Sequence, residues 1–148
     1  MQRLTILSIA LVFIPISTLI AGGRNPEEEA VYKAVQDYVE GVYLGQPERI
    51  ERSVHSQMRK HGFYLTEAGY RNIPMTFDQL VKLAATWKKA GNIPADATYE
   101  ITLFEVSDQT ATAKLTAFWG MDYFHLAKFD GKWQISNVIW QSIPDKKT

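Results

Sequence analysis

From Thr98 to Trp140 apolar and polar residues alternate through four runs divided by turn residues, and no other feature limits the fold as much. The first run, Thr98 to Val106, reads TYEITLFEV, and Ser107-Asp108-Gln109 turns it. The second places Thr110, Thr112, Lys114 and Thr116 on one face and Ala111, Ala113, Leu115, Ala117 and Trp119 on the other. That is the period of a half-buried strand. Gly120 breaks the run, and two further runs reach Phe129 and Trp140 on either side of Asp130-Gly131. An Asp-Gly pair between apolar runs signals a type I′ hairpin, whose two central residues both take positive φ. The stretch predicts a curved antiparallel meander.

A two-residue loop pairs Phe129 with Lys132. It sets Lys128, Leu126, Phe124 and Asp122 opposite Trp133, Ile135, Asn137 and Ile139, and opposed residues share a face. Leu126, Phe124, Trp133 and Ile135 mark that face as the core side, and Asp122 and Asn137 lie on it. His125, Ser136, Tyr123, Val138 and Trp140 fall on the other side. A slip of one residue would exchange the faces. Desolvation among Phe124, Ile139 and Trp119 would raise the pKa of Asp122 and suit it to moving a proton. Asn137 could donate to a developing oxyanion or partner Asp122.

Arg3 is the only charge among the first 23 residues. The run from Leu4 to Ala21 is apolar apart from Thr5, Ser8, Ser17, Thr18 and Pro15, and Ala21-Gly22-Gly23 ends it with small residues. This reads as a signal peptide over 1–23 followed by one domain over 24–148. The expected location is periplasmic or secreted, with no stable membrane association after cleavage. A retained anchor is the alternative, since ~20 apolar residues span a bilayer. Without Arg3 the remainder carries 15 basic and 16 acidic side chains, a net charge of −1. That balance gives no electrostatic case for nucleic acid as a partner. With no Cys, stability must come from packing, to which four Trp contribute bulk.

Asn25-Pro26-Glu27-Glu28-Glu29 is a helix start: Asn caps, Pro fits the first turn, and the acids suit the positive end of the dipole. Val31, Val35, Tyr38 and Val42 stripe that helix as far as Leu44, where Gly45 ends it. Pro47 opens a short second helix, and Met58 to Leu65 reads as a strand. Thr76 and Gln79 form a capping box for a third helix striped by Phe77, Leu80, Ala84 and Trp87. Arg59-Lys60 and Lys88-Lys89 read as solvated faces. The order α-α-β-(β)-α-β-β-β-β is that of an α+β fold.

Five segments carry a family resemblance: Tyr38-Val39-Glu40-Gly41-Val42-Tyr43, Val54-His55, Met75-Thr76, Asp122-Tyr123-Phe124-His125-Leu126-Ala127-Lys128 and Asp130-Gly131-Lys132-Trp133. With the element order, they make the chain resemble the nuclear transport factor 2-like (cystatin-like) superfamily, nearest its "putative lumazine-binding" subgroup. One departure is Ser56-Gln57 after His55, where that family usually has Pro-Asp. The resemblance implies a cone-shaped half-barrel, a curved antiparallel sheet packed on three helices that close a pocket. Enzymes of the wider fold, such as ketosteroid isomerase, dehydratases and polyketide cyclases, place carboxylates, His and Tyr there. Other members bind small molecules or pair through the sheet, which implies a homodimer.

The candidate catalytic residues are therefore Asp122, with His55, His61 and Tyr64 as bases or donors. The candidate ligand contacts are Trp119, Phe124, Asn137 and Trp87. No zinc-binding motif, phosphate loop or nucleophile elbow is present, so neither a metal nor a cofactor is expected. Three functions compete. A binder of a small apolar or aromatic ligand ranks first. An acid–base enzyme of the isomerase or dehydratase type ranks second, and a homo-oligomeric interaction module third. Binder and enzyme separate on whether Asp122 has a second titratable group within hydrogen-bond reach.

Overall fold

The computed structural model describes residues 23–143, so nearly all of the expected signal peptide lies outside the described residues. The elements are α1 (Pro26–Leu44), α2 (Pro47–Ser53), β1 (Val54–Thr66), β2 (Gly69–Met75) and α3 (Phe77–Thr86). The meander follows as β3 (Tyr99–Val106), β4 (Thr110–Ala117), β5 (Gly120–Phe129) and β6 (Lys132–Gln141). The six strands form one curved, unclosed sheet in the order β2-β1-β6-β5-β4-β3.

Local chemistry accounts for most boundaries. The Asn25 side chain accepts from the Glu28 backbone N–H at 2.9 Å, and Glu28 accepts from the Asn25 N–H at 3.0 Å. Thr76 and Gln79 repeat this box at α3. Asp130 and Gly131 have φ of 48° and 78°, as a type I′ turn requires. Gly120 takes φ 140°, and a Cβ there would stand 2.0 Å from the carbonyl oxygen of Gln141, so the β4–β5 corner admits only glycine.

Two features depart from the sequence expectation. β1 begins at Val54, directly after α2 and ahead of the expected start at Met58, so His55 lies in a strand. β1 also pairs with β6 in parallel, whereas every other pairing is antiparallel. The long connection through β2, α3 and the meander supplies the crossover that a parallel pair needs.

The last hairpin carries the larger correction. Phe129 pairs with Lys132 and Leu126 with Ile135 as expected, but the register then shifts and His125 pairs with Asn137. Ser136 is the extra residue, and its hydroxyl donates to the carbonyl of His125 at 3.0 Å. A bulge of one residue exchanges the faces of everything beyond it. Asn137 and Ile139 therefore turn outward, with Ile139 46% exposed. Val138 and Trp140, expected outside, turn inward: Val138 is buried in the core and Trp140 opposes Asp122. β5 carries no bulge at this point. Asp122 keeps its inward side, and His125 and Tyr123 stay outside.

α1 lays Val31, Val35, Tyr38, Val39 and Val42 on the sheet, all at most 2% exposed. Each fully buried side chain of this size contributes roughly 1.5–3 kcal/mol. α2 is held across α1 by a charged cluster. The buried Asp37 carboxylate accepts from Lys33 at 2.6 Å, Arg49 at 2.8 Å and Arg52 at 2.7 Å. Burial alone would raise the pKa of Asp37, but the hydrogen bonds and charges of Arg52 and Lys33 outweigh it and hold the value down to about 2.

The ordinary Asp value is 3.8, so this stabilisation is complete above about pH 4 and is lost as pH falls toward 2. Urea titrations at pH 6 and pH 2.5 should show it. Asp37→Asn should be less stable at pH 6 by about 2 kcal/mol and should lose less on acidification than the parent. Equal acid sensitivity in the two proteins would show that Asp37 does not carry the effect.

Candidate functional site

α1, α3, β1, β6 and the β4–β5 corner line a half-open cavity of about 620 Å³. Its walls are mainly apolar: Val42 from α1, Leu80 and Leu83 from α3, Trp87 just after it, Phe118 and Trp119 from the corner, Met75, and Trp140 from β6. Tyr64 and Ile143 line its exposed side, at 47% and 50% exposure. The aromatic wall is a connected group. Trp87 stacks on Phe118 with centroids 5.5 Å apart and lies 5.7 Å from Trp119. Trp119 in turn meets Tyr43 edge-on at 5.3 Å.

Trp140 depends on a gap in β1. Gly62 is its partner in the parallel ladder, and a Cβ on Gly62 would stand 2.0 Å from the indole Nε1. The ring therefore lies against bare backbone, where no side chain competes for the space.

Polar groups gather at the buried end of the cavity. β1 alternates Met58, Lys60 and Gly62 inward, so Lys60 enters the apolar interior and is 7% exposed. Its ammonium donates to the Tyr38 hydroxyl and to Asp122 Oδ1, the latter at 3.2 Å. Tyr38 donates to the same oxygen at 3.2 Å, and the Trp119 indole N–H donates to Oδ2 at 2.6 Å. Among the described residues, no buried side-chain nitrogen or oxygen lacks a partner. Burial, then the charge of Asp122 and its hydrogen bond, raise the pKa of Tyr38 well above its ordinary value, so the phenol remains a donor. The Lys60 ammonium also lies 5.1 Å from the Tyr38 ring centroid and 5.8 Å from that of Trp140.

Lys60 and Tyr38 line the cavity, whereas Asp122 stands behind them and is fully buried. The carboxylate thus has two titratable groups within reach, but it meets no ligand directly. Among the other candidates, Trp119, Trp87 and Tyr64 line the cavity. Phe124 does not: it is 1% exposed and packs edge-on against the Tyr38 ring at 5.0 Å. Asn137 faces outward because of the Ser136 bulge. His55 stacks on Phe129 at 4.0 Å, away from the cavity. His61 alternates with Lys60 and points to the opposite side of β1, where it is exposed.

Lys60 and Tyr38 were not among the candidates, although each left a signal. Lys60 shares the strand parity of the apolar Met58. Tyr38 sits in the buried stripe of α1, where a phenol needs a partner. Arg59-Lys60 reads as a solvated pair, but strand alternation turns Arg59 outward and Lys60 inward.

Fold and site together define a nuclear transport factor 2-like domain, a curved sheet and three helices around an apolar cavity. The sequence profile of the family described as "Putative lumazine-binding" matches residues 26–141, and the chain belongs to that family. Comparison with curated proteins returns no match. Among solved structures, it is similar to an NTF-2 like protein of unknown function from Silicibacter pomeroyi, with 16% identity and a TM-score of 0.65 over 78% of this chain and 95% of that one. It is also similar to a ketosteroid isomerase-like protein from Erwinia carotovora atroseptica (16%, 0.57, 82% and 99%). A third is a domain of unknown function with a cystatin-like fold from Nostoc punctiforme (10%, 0.56, 84% and 82%). These likenesses establish the fold.

Removing one member of a buried ion pair strands the other, which costs about 3–5 kcal/mol. Lys60→Met should lose stability of that order in chemical denaturation. Adding Asp122→Asn to it should restore most of the loss, because no unpaired charge then remains. Strictly additive losses would mean the two residues do not act as a pair.

Proposed function

We propose that this is an exported binding protein for a small planar aromatic molecule, acting in the periplasm or outside the cell. The observation that carries the reading is the cavity of about 620 Å³, walled by Trp87, Phe118, Trp119 and Trp140, with Lys60 and Tyr38 at its buried end. A flat ring gains stacking and apolar burial from such walls, and a few polar groups fix its orientation. The family description, "Putative lumazine-binding", names a ligand of this shape class. Export rests on Arg3, the apolar run and Ala21-Gly22-Gly23.

An acid–base enzyme is the second reading, favoured by the bonded group Lys60, Tyr38 and Asp122. In that case Lys60 and Tyr38 would meet the substrate and Asp122 would position them. One experiment addresses export and both readings: native mass spectrometry of protein purified from its source. The expected result is a chain beginning near Arg24 with a retained aromatic molecule that is unchanged on incubation. Chemical conversion of that molecule would favour the enzyme, and a full-length chain held in the membrane would overturn export.

We also propose that two copies associate through the outer sheet face. Tyr123 pairs with Ile139, and these two residues and Phe63 are 41–46% exposed. Sedimentation should show a dimer that Ile139→Glu weakens at least about tenfold, equivalent to about 1.4 kcal/mol. A strict monomer at high concentration would exclude it.

A further inference from the structure

Lys60 has three N–H donors, of which two are committed to Tyr38 and Asp122. Its third has no acceptor among the described side chains, and Lys60 lines the cavity. Lys60 therefore offers a ligand in the cavity one hydrogen-bond donor. The Tyr38 hydroxyl is already spent as a donor on Asp122.

Charge decides which acceptor fits. Lys60 and Asp122 form an ion pair at 3.2 Å, with side chains 8% and 0% exposed, so the buried end is neutral as a whole. A carbonyl oxygen would take the free N–H without altering that balance. A carboxylate would bring a second anion onto a cation already neutralised, and its surplus charge would sit among Trp and Leu side chains. An uncompensated charge in such a place is costly.

We infer that Asp122 selects ligands by charge from behind the cavity wall, making the site favour neutral, planar, carbonyl-bearing aromatic molecules over their anionic counterparts. This rests on the binding reading above. Asp122 makes no ligand contact in this role. It acts by holding Lys60 and by cancelling its charge.

The test uses two probes of nearly equal shape, 2-acetonaphthone, which is neutral, and 2-naphthoate, which is anionic, with tryptophan fluorescence of the folded protein as readout. The parent should bind the ketone at least about tenfold more tightly than the carboxylate. In folded Asp122→Asn the ratio of ketone to naphthoate affinity should shift toward naphthoate by at least about tenfold, because the Lys60 charge is then unopposed. Lys60→Met combined with Asp122→Asn should lose that gain while remaining folded. A parent that binds both probes alike, or prefers naphthoate, overturns charge selection but leaves the binding reading intact. That outcome is decisive even if Asp122→Asn fails to fold. An unchanged preference in folded Asp122→Asn likewise overturns it. Binding of neither probe removes the binding reading and this inference together.

Discussion

A buried carboxylate has to collect donors or lose its charge, and Asp122 collects them from three separate parts of the chain. Tyr38 comes from α1, Lys60 from β1 and Trp119 from the β4–β5 corner. Each donor is fixed in turn by its own element, so satisfying the carboxylate sets the positions of helix, strand and corner relative to one another. The polar group at the buried end of the cavity follows from that arrangement.

Such a network adds little to stability by itself, since desolvating an ion pair offsets much of its attraction. Its effect is on specificity of packing. An apolar group in place of Asp122 would leave Lys60 without a counter-charge and the Trp119 indole without an acceptor. One residue before Tyr38 on α1, the Asp37 cluster does a related job, tying α2 to α1 through Arg49 and Arg52. The two clusters are separated by function as well as place. The Asp37 cluster joins two helices, and the Asp122 cluster faces the cavity.

The cavity also owes its shape to two small irregularities. The Ser136 bulge turns Trp140 from the outer face to the inner one, and Gly62 leaves the space in which its indole lies. Without the bulge, Asn137 and Ile139 would occupy the inner face, and the cavity would lose an aromatic wall and gain an amide. The exposed surface changes in step, since Ile139 replaces Val138 opposite Tyr123.

Local signals by themselves determined the elements: Asn25 and Thr76 as caps, the Val31–Val42 stripe, the β4 alternation and the Asp130-Gly131 turn each depend on residues close in sequence. The turn also placed Asp122 inward, because nothing interrupts β5 between it and the hairpin. Only the tertiary structure decided what surrounds Asp122. The Ser136 bulge does leave a mark, the polar pair Ser136-Asn137 where apolar parity passes from Trp133 and Ile135 to Val138 and Trp140, but Ile139 keeps the old parity, so only the pairing in the sheet decides which way Asn137, Val138 and Trp140 face. The start of β1 at Val54 and its parallel pairing with β6 were hidden too, since the partners stand far apart in the chain. A lysine in sequence reads as solvated, and only a partner 62 residues away makes the burial of Lys60 affordable.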